Sequence, residues 1–385
     1  MTLTHGAEGQ HLYRLYLLGK SNIGLEREIN MKGYKAFRKG LICKNKQYAE
    51  NTIFKEPKAI PCKCGMHFCK NPMDVLDYYG LMDSDGALTE FTKVESIDKP
   101  KTNDNKKYCT TELKVYEKLS FEKFIDICIN SLIEKTQVKI DDINLESYYI
   151  EIEPSDYHAQ LANFRSYSQI VNSGYYSCIA SSGRDTKIVN CGYHAHIASS
   201  GRNTKIGNFG DNTRIANSEG NAQIINAGND THIGNSGNHA QIGNSGNCVK
   251  IANSGNSSQI RSLGDYIKIA NSGDSAQIRN SGDLAHIANS GFTTQIISSG
   301  KYAQIASSGN VEQIISEGEH SVICCAGKDS KVKAKKGSWI TLSEWKYNGD
   351  GTRIPKCVKT EYVDGERIKE DTFYMLVNGE FVEAI

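Results

Sequence analysis

The densest set of potential metal ligands is Cys62-Lys-Cys64-Gly-Met-His67-Phe-Cys69. If Gly65-Met66 forms a two-residue II′ turn, with glycine at its first central position, Cys64 opposes His67 and Cys62 opposes Cys69. All four side chains then alternate onto one face, a Cys₃His set of the kind zinc accepts. Zinc is therefore the one cofactor the sequence suggests. Structural zinc sites more often draw ligands from two separated knuckles, and free cysteine is also an ordinary small core residue.

A second set is spread along the chain at a spacing of 18: His196, Arg214, His232, Lys250, Lys268 and His286. One face carrying these groups could track a nucleic-acid backbone or another polyanion. The competing reading is a solvated sheet face, where lysine also discourages edge association. Single-strand binders usually interleave aromatic platforms, and the sequence offers no such interleaving. No nucleophile–base set and no phosphate loop stand out. His67, Tyr78 and Tyr79 leave one enzymatic alternative open, a nucleotide-handling N-terminal domain.

The stripe belongs to a nine-residue repeat, such as Gly246-Asn-Cys-Val-Lys-Ile-Ala-Asn-Ser254. With glycine as position zero, the frame from 156 to 327 holds (327 − 156)/9 + 1 = 20 repeats. Position five is Ile at every step from Ile170 to Ile323. Side chains alternate across a strand, so three, five and seven face inward while four, six and eight face out. A nonamer cannot bury its own apolar face and must stack on its neighbours.

The outward positions double the period. At six, one set reads Val171, Val189, Gly207, Ile225, Gly243, Arg261, and the interleaved set reads Ala180, Ala198, Ala216, Gly234, Ala252, Ala270. At four, the first set becomes a Gln row through Gln241, Gln259 and Gln277, and the second is the basic stripe. We therefore expect a mainly β protein, a two-sheet parallel β-solenoid with 18 residues per coil and nonapeptide half-coils. Inward Asn at position seven is placed to form a ladder that satisfies the turns. Gln259 is expected to face solvent. The flat Ala row is the expected contact face, for a partner or for self-association.

Flanking segments differ in texture. Residues 1–30 read as a leader: Glu26-Arg-Glu28 can be encoded by purines alone, close before Met31, as a ribosome-binding site would be. Residues 31–150 read as a small α+β domain. Within it, Asn71 and Pro72 start a short helix to Tyr79 with Asn71 as N-cap. Ser120 caps an amphipathic helix with Phe121, Phe124, Ile125, Cys128, Leu132 and Ile133 on one face. Residues 156–336 are the solenoid. Residues 337–385 read as a β-hairpin cap with turns at Asn348-Gly, Asp364-Gly and Asn378-Gly. Trp339, Trp345, Phe373 and Tyr374 are its candidates for covering the last coil, whose open edge would otherwise promote stacking into fibres.

Composition limits the function classes. Net charge is +1 over 385 residues. The solenoid has 16 Lys+Arg and 12 Asp+Glu, so it is no acidic DNA mimic. The 12 Cys lack the dense spacing of a secreted disulfide framework, which suggests reduced thiols and a cytoplasmic setting. No membrane-spanning run is present. Paired glycines and a regular Asp are missing, so the repeat is not the calcium-binding nonapeptide. Thr-x-Thr rows of the ice-binding kind are missing as well.

Tyr34-Lys-Ala-Phe37, Gly65-Met-His-Phe-Cys69, Asn71-Pro-Met-Asp-Val-Leu-Asp-Tyr-Tyr79, the Asn-Ser-Gly array and Glu344-Trp345 together resemble phage and prophage proteins with an N-terminal domain of unknown function. The similarity covers roughly 31–385. Position five of such arrays is often Ala, and here it is Ile. The resemblance implies a phage or mobile-element origin and brings no activity or site residue with it. The resulting expectation is a non-enzymatic binding or structural protein that displays its solenoid to a host or phage macromolecule.

Overall fold

The computed structural model describes residues 30–83, 86–136, 149–152 and 157–384. The expected leader lies outside them, apart from residue 30. The nonamers form a parallel β-solenoid of about 10 coils of roughly 18 residues, built on two sheets. Register follows the period: Ile242 pairs with Ile260 in one sheet, and Ile251 with Ile269 in the other. Both Ile rows point into one core, where Ile242 is 0% and Ile251 1% exposed.

Position seven forms the expected ladder. Asn235 donates from Nδ2 to Asn253 Oδ1 at 2.7 Å and to Gly237 O at 2.8 Å. Such an amide ties its own turn to the next coil and satisfies buried turn groups. Position-zero glycine is required by close approach: a Cβ on Gly255 would lie 2.0 Å from Gly237 O of the preceding coil. The left-handed residue is at position two instead, even where it is Thr293 (φ 55°) or Val311 (φ 56°). From His158 to Val311 these residues send their N–H to the next coil, as His239 does to Asn256 O at 2.8 Å. Hydrogen bonding between coils thereby offsets an unfavourable conformation.

Residues 31–119 form a seven-stranded antiparallel sheet, and helix α1, Phe121–Thr136, follows it. Ser120 Oγ accepts from Lys123 N–H at 3.2 Å, the expected N-cap. The turn at 72–79 differs from expectation. It is a 3-10 helix, Met73–Asp77, and Asn71 donates to Asp74 Oδ2 at 2.7 Å instead of capping. That carboxylate is committed elsewhere, as described next.

The N-terminal domain is packed against the solenoid, on the sheet that carries the Gln row. Helix α1 crosses the strands Gln169–Asn172, Lys187–Asn190, Lys205–Asn208 and Gln223–Asn226. Val189 and Ile225 join Phe121, Phe124, Ile125, Cys128, Leu76 and Leu81 in one buried cluster. Gly243 leaves room for Phe121, whose Cζ would be 3.1 Å from an added Cβ. The Arg261 guanidinium lies 3.5 Å from the Phe121 ring centroid. Alternating large and small residues at position six are therefore the knobs and holes of a domain interface.

The Gln row is thus not a solvent row, which corrects the expectation for Gln259. Gln259 Nε2 donates to Met82 O at 3.0 Å, and its Oε1 accepts from Met82 N–H. Gln241 and Gln277 donate to Leu76 O and Asp83 O. Lys205 sits 3.1 Å from Asp74 and 3.3 Å from Asp77. Alternation placed these side chains outward correctly; it could not indicate that another domain stands there.

Both solenoid ends extend past the expected limits. Tyr149–Ile152 already pairs in parallel with Gln169–Asn172. At the other end Trp339 pairs in parallel with Val322, 17 residues on (339 − 322) instead of 18, so the cap begins inside a coil. Each sheet then closes in an antiparallel hairpin: Trp339–Tyr347 with Arg353–Tyr362, and Phe373–Val377 with Glu380–Ala384. Ile340, Leu342, Val363, Ile368, Tyr374 and Leu376 cover the last coil. Trp339 does not, being 49% exposed, because alternation turns Ile340 inward beside it.

Candidate functional site

One sheet carries the N-terminal domain; among the described residues, the other keeps its outward side chains exposed from coil to coil. Parallel register brings the predicted stripe into one continuous ladder: His196–Arg214–His232–Lys250–Lys268–His286, neighbour to neighbour. All six are exposed. Spacing of about 4.8 Å between like charges is repulsive. Burial holds the His232 imidazole below the usual histidine range, and the neighbouring Lys250 and Arg214 charges push it the same way.

Two further ladders run beside the basic one. Exposed Ala198, Ala216, Ala252, Ala270 and Ala288 lie along the middle of the sheet. Beyond them, at position eight, stands a row of hydroxyls from Ser182 to Ser308. Shallow troughs flank the Ala row on both sides. Sequence reasoning did not single out the Ser row, although alternate repeats carry it at a constant offset. The sheet is thus a cationic edge, a smooth apolar centre and a hydroxyl edge.

Aromatic side chains do gather next to the first coils. Tyr157, Tyr175 and Tyr193 stack with centroids 5.4 and 5.6 Å apart, and His158, Tyr176 and His194 at 5.2 and 4.7 Å. Their faces already meet one another. Inserting a base between two rings needs roughly 7 Å, twice the ~3.4 Å stacking distance. These stacks therefore tie successive turns together.

The Cys/His cluster takes a different geometry from the hairpin. Cys64 is bridged to Ile60, His67 pairs with Cys109 and Cys69 with Tyr34. Met66–Cys69 is an inner strand of the seven-stranded sheet, so its neighbours are distant segments and not Cys62–Cys64. Cys62, Cys64, His67 and Cys69 still line one cleft. Among the described residues no group of three or more His, Cys, Asp or Glu is gathered as a metal site. Burial and the Lys35, Lys107 and Lys44 charges hold His67 down at about 4, and its Nε2 accepts from Cys62 N–H at 3.1 Å. Burial, then Asp74 and Asp77, pushes the Cys69 thiol up to about 12.

The same cleft holds a group that sequence reasoning missed. Lys35 is 5% exposed, and its Nζ donates to His67 O at 2.7 Å and to Cys43 Sγ at 3.4 Å. Tyr79 Oη is 3.1 Å from the same sulfur. Burial pulls the Lys35 ammonium below the ordinary lysine range, and Cys43 partly restores it. Burial and the Cys43 contact push the Tyr79 phenol up, so it stays protonated and can donate. Tyr78 and Tyr79 line the cleft with His67, as the nucleotide-handling alternative would need.

The architecture is that of a β-solenoid protein with an N-terminal domain packed on one of its sheets. Residues 31–127 match the model of a family described as a domain of unknown function, DUF7666. The matched region ends before the solenoid. No curated protein and no solved structure matches the chain.

Proposed function

We propose that this is a non-enzymatic binding protein of phage or prophage origin, acting in the host cytoplasm, that presents its bare solenoid sheet to an extended anionic macromolecule. The supporting observation is the asymmetry of the two faces. One sheet is occupied by the protein's own N-terminal domain, while among the described residues the other keeps an exposed ladder of basic side chains beside a smooth Ala row. An anionic chain lying along that ladder would relieve its internal repulsion. The low side chains of the Ala row let such a chain approach the backbone closely. Loss of repulsion would also favour protonation of His232, so binding strengthens as pH falls through the histidine range.

The test is binding of a single-stranded oligonucleotide and of polyphosphate at two salt concentrations. Arg214→Gln/Lys250→Gln/Lys268→Gln should lose salt-sensitive binding and keep its fold. A charge-matched control at exposed turn positions, Arg184→Gln/Arg202→Gln/Lys301→Gln, should retain it. Removing three phosphate contacts lowers the salt slope by roughly two. Equal binding by both variants would remove the sheet as the contact face. Concentration-dependent doubling of mass without ligand, abolished by bulky substitution at Ala252, would favour self-association instead.

A further inference from the structure

We propose that the N-terminal cleft is a thiol site, with Cys43 as a nucleophile toward a small electrophile bearing a carboxylate or phosphate. Three observations support it. First, no carboxylate among the described residues lies within ion-pair distance of Lys35, although its amine is buried. A buried ammonium without a counter-charge is costly, and the Cys43 sulfur is the group in contact that can supply one. Second, that sulfur is contacted by two polar groups, the Lys35 amine at 3.4 Å and the Tyr79 hydroxyl at 3.1 Å. A thiol held against a buried amine is placed to pass its proton to Lys35 Nζ as the sulfur attacks. Third, the cleft walls are cationic. Lys35, Arg38, Lys44, Lys46, Lys63 and Lys107 line it against Glu56 and Asp83, and Glu56 is already paired with Lys46. An anionic reactant is drawn in, while Tyr34, Tyr48 and Tyr78 supply apolar wall.

In the reacting form the proton sits on Lys35 Nζ and the sulfur carries the pair. Cys43 Sγ attacks the electrophilic carbon and a C–S bond forms. The carbon's bond to the leaving group breaks, and that group departs with the bonding electrons. Lys35 and Tyr79 act through the sulfur and are positioning residues. This inference is independent of the solenoid reading, since no residue of the bare sheet takes part.

The experiment is a short pulse of iodoacetate, and in parallel of neutral iodoacetamide, on the full-length protein at pH 7. Peptide mass spectrometry then reads the fraction alkylated at each cysteine. Exposed Cys178 and Cys248, outside the cleft, serve as internal standards. Cys43 should react with iodoacetate about ten-fold faster than Cys178 or Cys248, although it is less exposed. Its iodoacetate-to-iodoacetamide ratio should exceed theirs as well. Lys35→Met should remove the rate advantage and Tyr79→Phe should reduce it, while both keep a preference for the anionic reagent, because the other cationic walls remain. Continued protection of buried Cys109 and Cys128 reports that the N-terminal domain of each variant is folded. Should wild-type Cys43 react no faster than those standards, or show no preference for the anionic reagent, the site is refuted whatever the variants do.

Discussion

Glu312 occupies position three of its nonamer, an inward position otherwise filled by small or apolar residues such as Ser258, Ala276, Ala285 and Thr294. It is 2% exposed. Asn289 Nδ2 donates to its Oε1 at 2.8 Å, and Ser307 Oγ donates to its Oε2. Burial outweighs those bonds and pushes the carboxyl up from 4.5 to about 7. The linkage has a definite sign. Below pH 4.5 the carboxyl is protonated in both folded and unfolded chains and costs nothing extra. As pH rises from 4.5 to 7 the unfolded chain ionises first, so stability falls by about 1.4 kcal/mol per unit. Above 7 the loss levels off near 3 kcal/mol, an upper value of this order.

Glu312→Gln keeps both hydrogen-bonding partners within reach and carries no charge. Its stability should not vary across this window from this source. It should match wild type near pH 4 and exceed it by about 3 kcal/mol near pH 8. Coils couple mainly to their neighbours, so the effect should concentrate in the strands around it. Amide hydrogen exchange of Gln304–Ser307, Gln313–Ser316 and Val322–Cys325, corrected for intrinsic rates, is the direct assay, with thermal unfolding beside it. If wild type and Glu312→Gln show the same pH dependence, the buried carboxyl is not responsible. If wild type gains stability between pH 5 and 7 relative to the variant, the sign is wrong.

Two other outcomes test the packing. Ile251→Asp puts an unpaired charge into the Ile core and should abolish the sheet signal in circular dichroism at ordinary temperature, since such burial costs several kcal/mol; an unchanged melt would contradict the inward assignment. Gln259→Glu loses the Nε2 donors to Met82 O and Gln277 Oε1, so it should loosen the docked domain by about 1–3 kcal/mol without unwinding the coils; faster proteolysis within residues 31–136 with an unaltered solenoid melt is the expected result, and an unaltered cleavage pattern would speak against this interface.

The solenoid was legible because its energetics are nearly one-dimensional. A residue's decisive neighbours stand one period away, so the period of 18 at positions four and six already implied two sheets, in-register Ile rows and the Asn ladder. It also placed His196, Arg214 and Lys250 in one line. What lies outside a sheet has no period. Lys205 meets Asp74 across 131 positions of sequence, and Gln259 meets Met82 across 177. Those contacts decided which sheet the N-terminal domain covers, turned the Val189/Ile225 row from surface into core, and drew Asp74 to Lys205. The cleft shows the same limit. Cys62, Cys64, His67 and Cys69 are close in sequence, and local alternation suggested a hairpin. Pairing with Tyr34 and Cys109 set their strand instead, and brought Lys35, Cys43 and Tyr79 together from three separate segments. Periodicity fixes which way a side chain points; only the packed chain decides what it meets there.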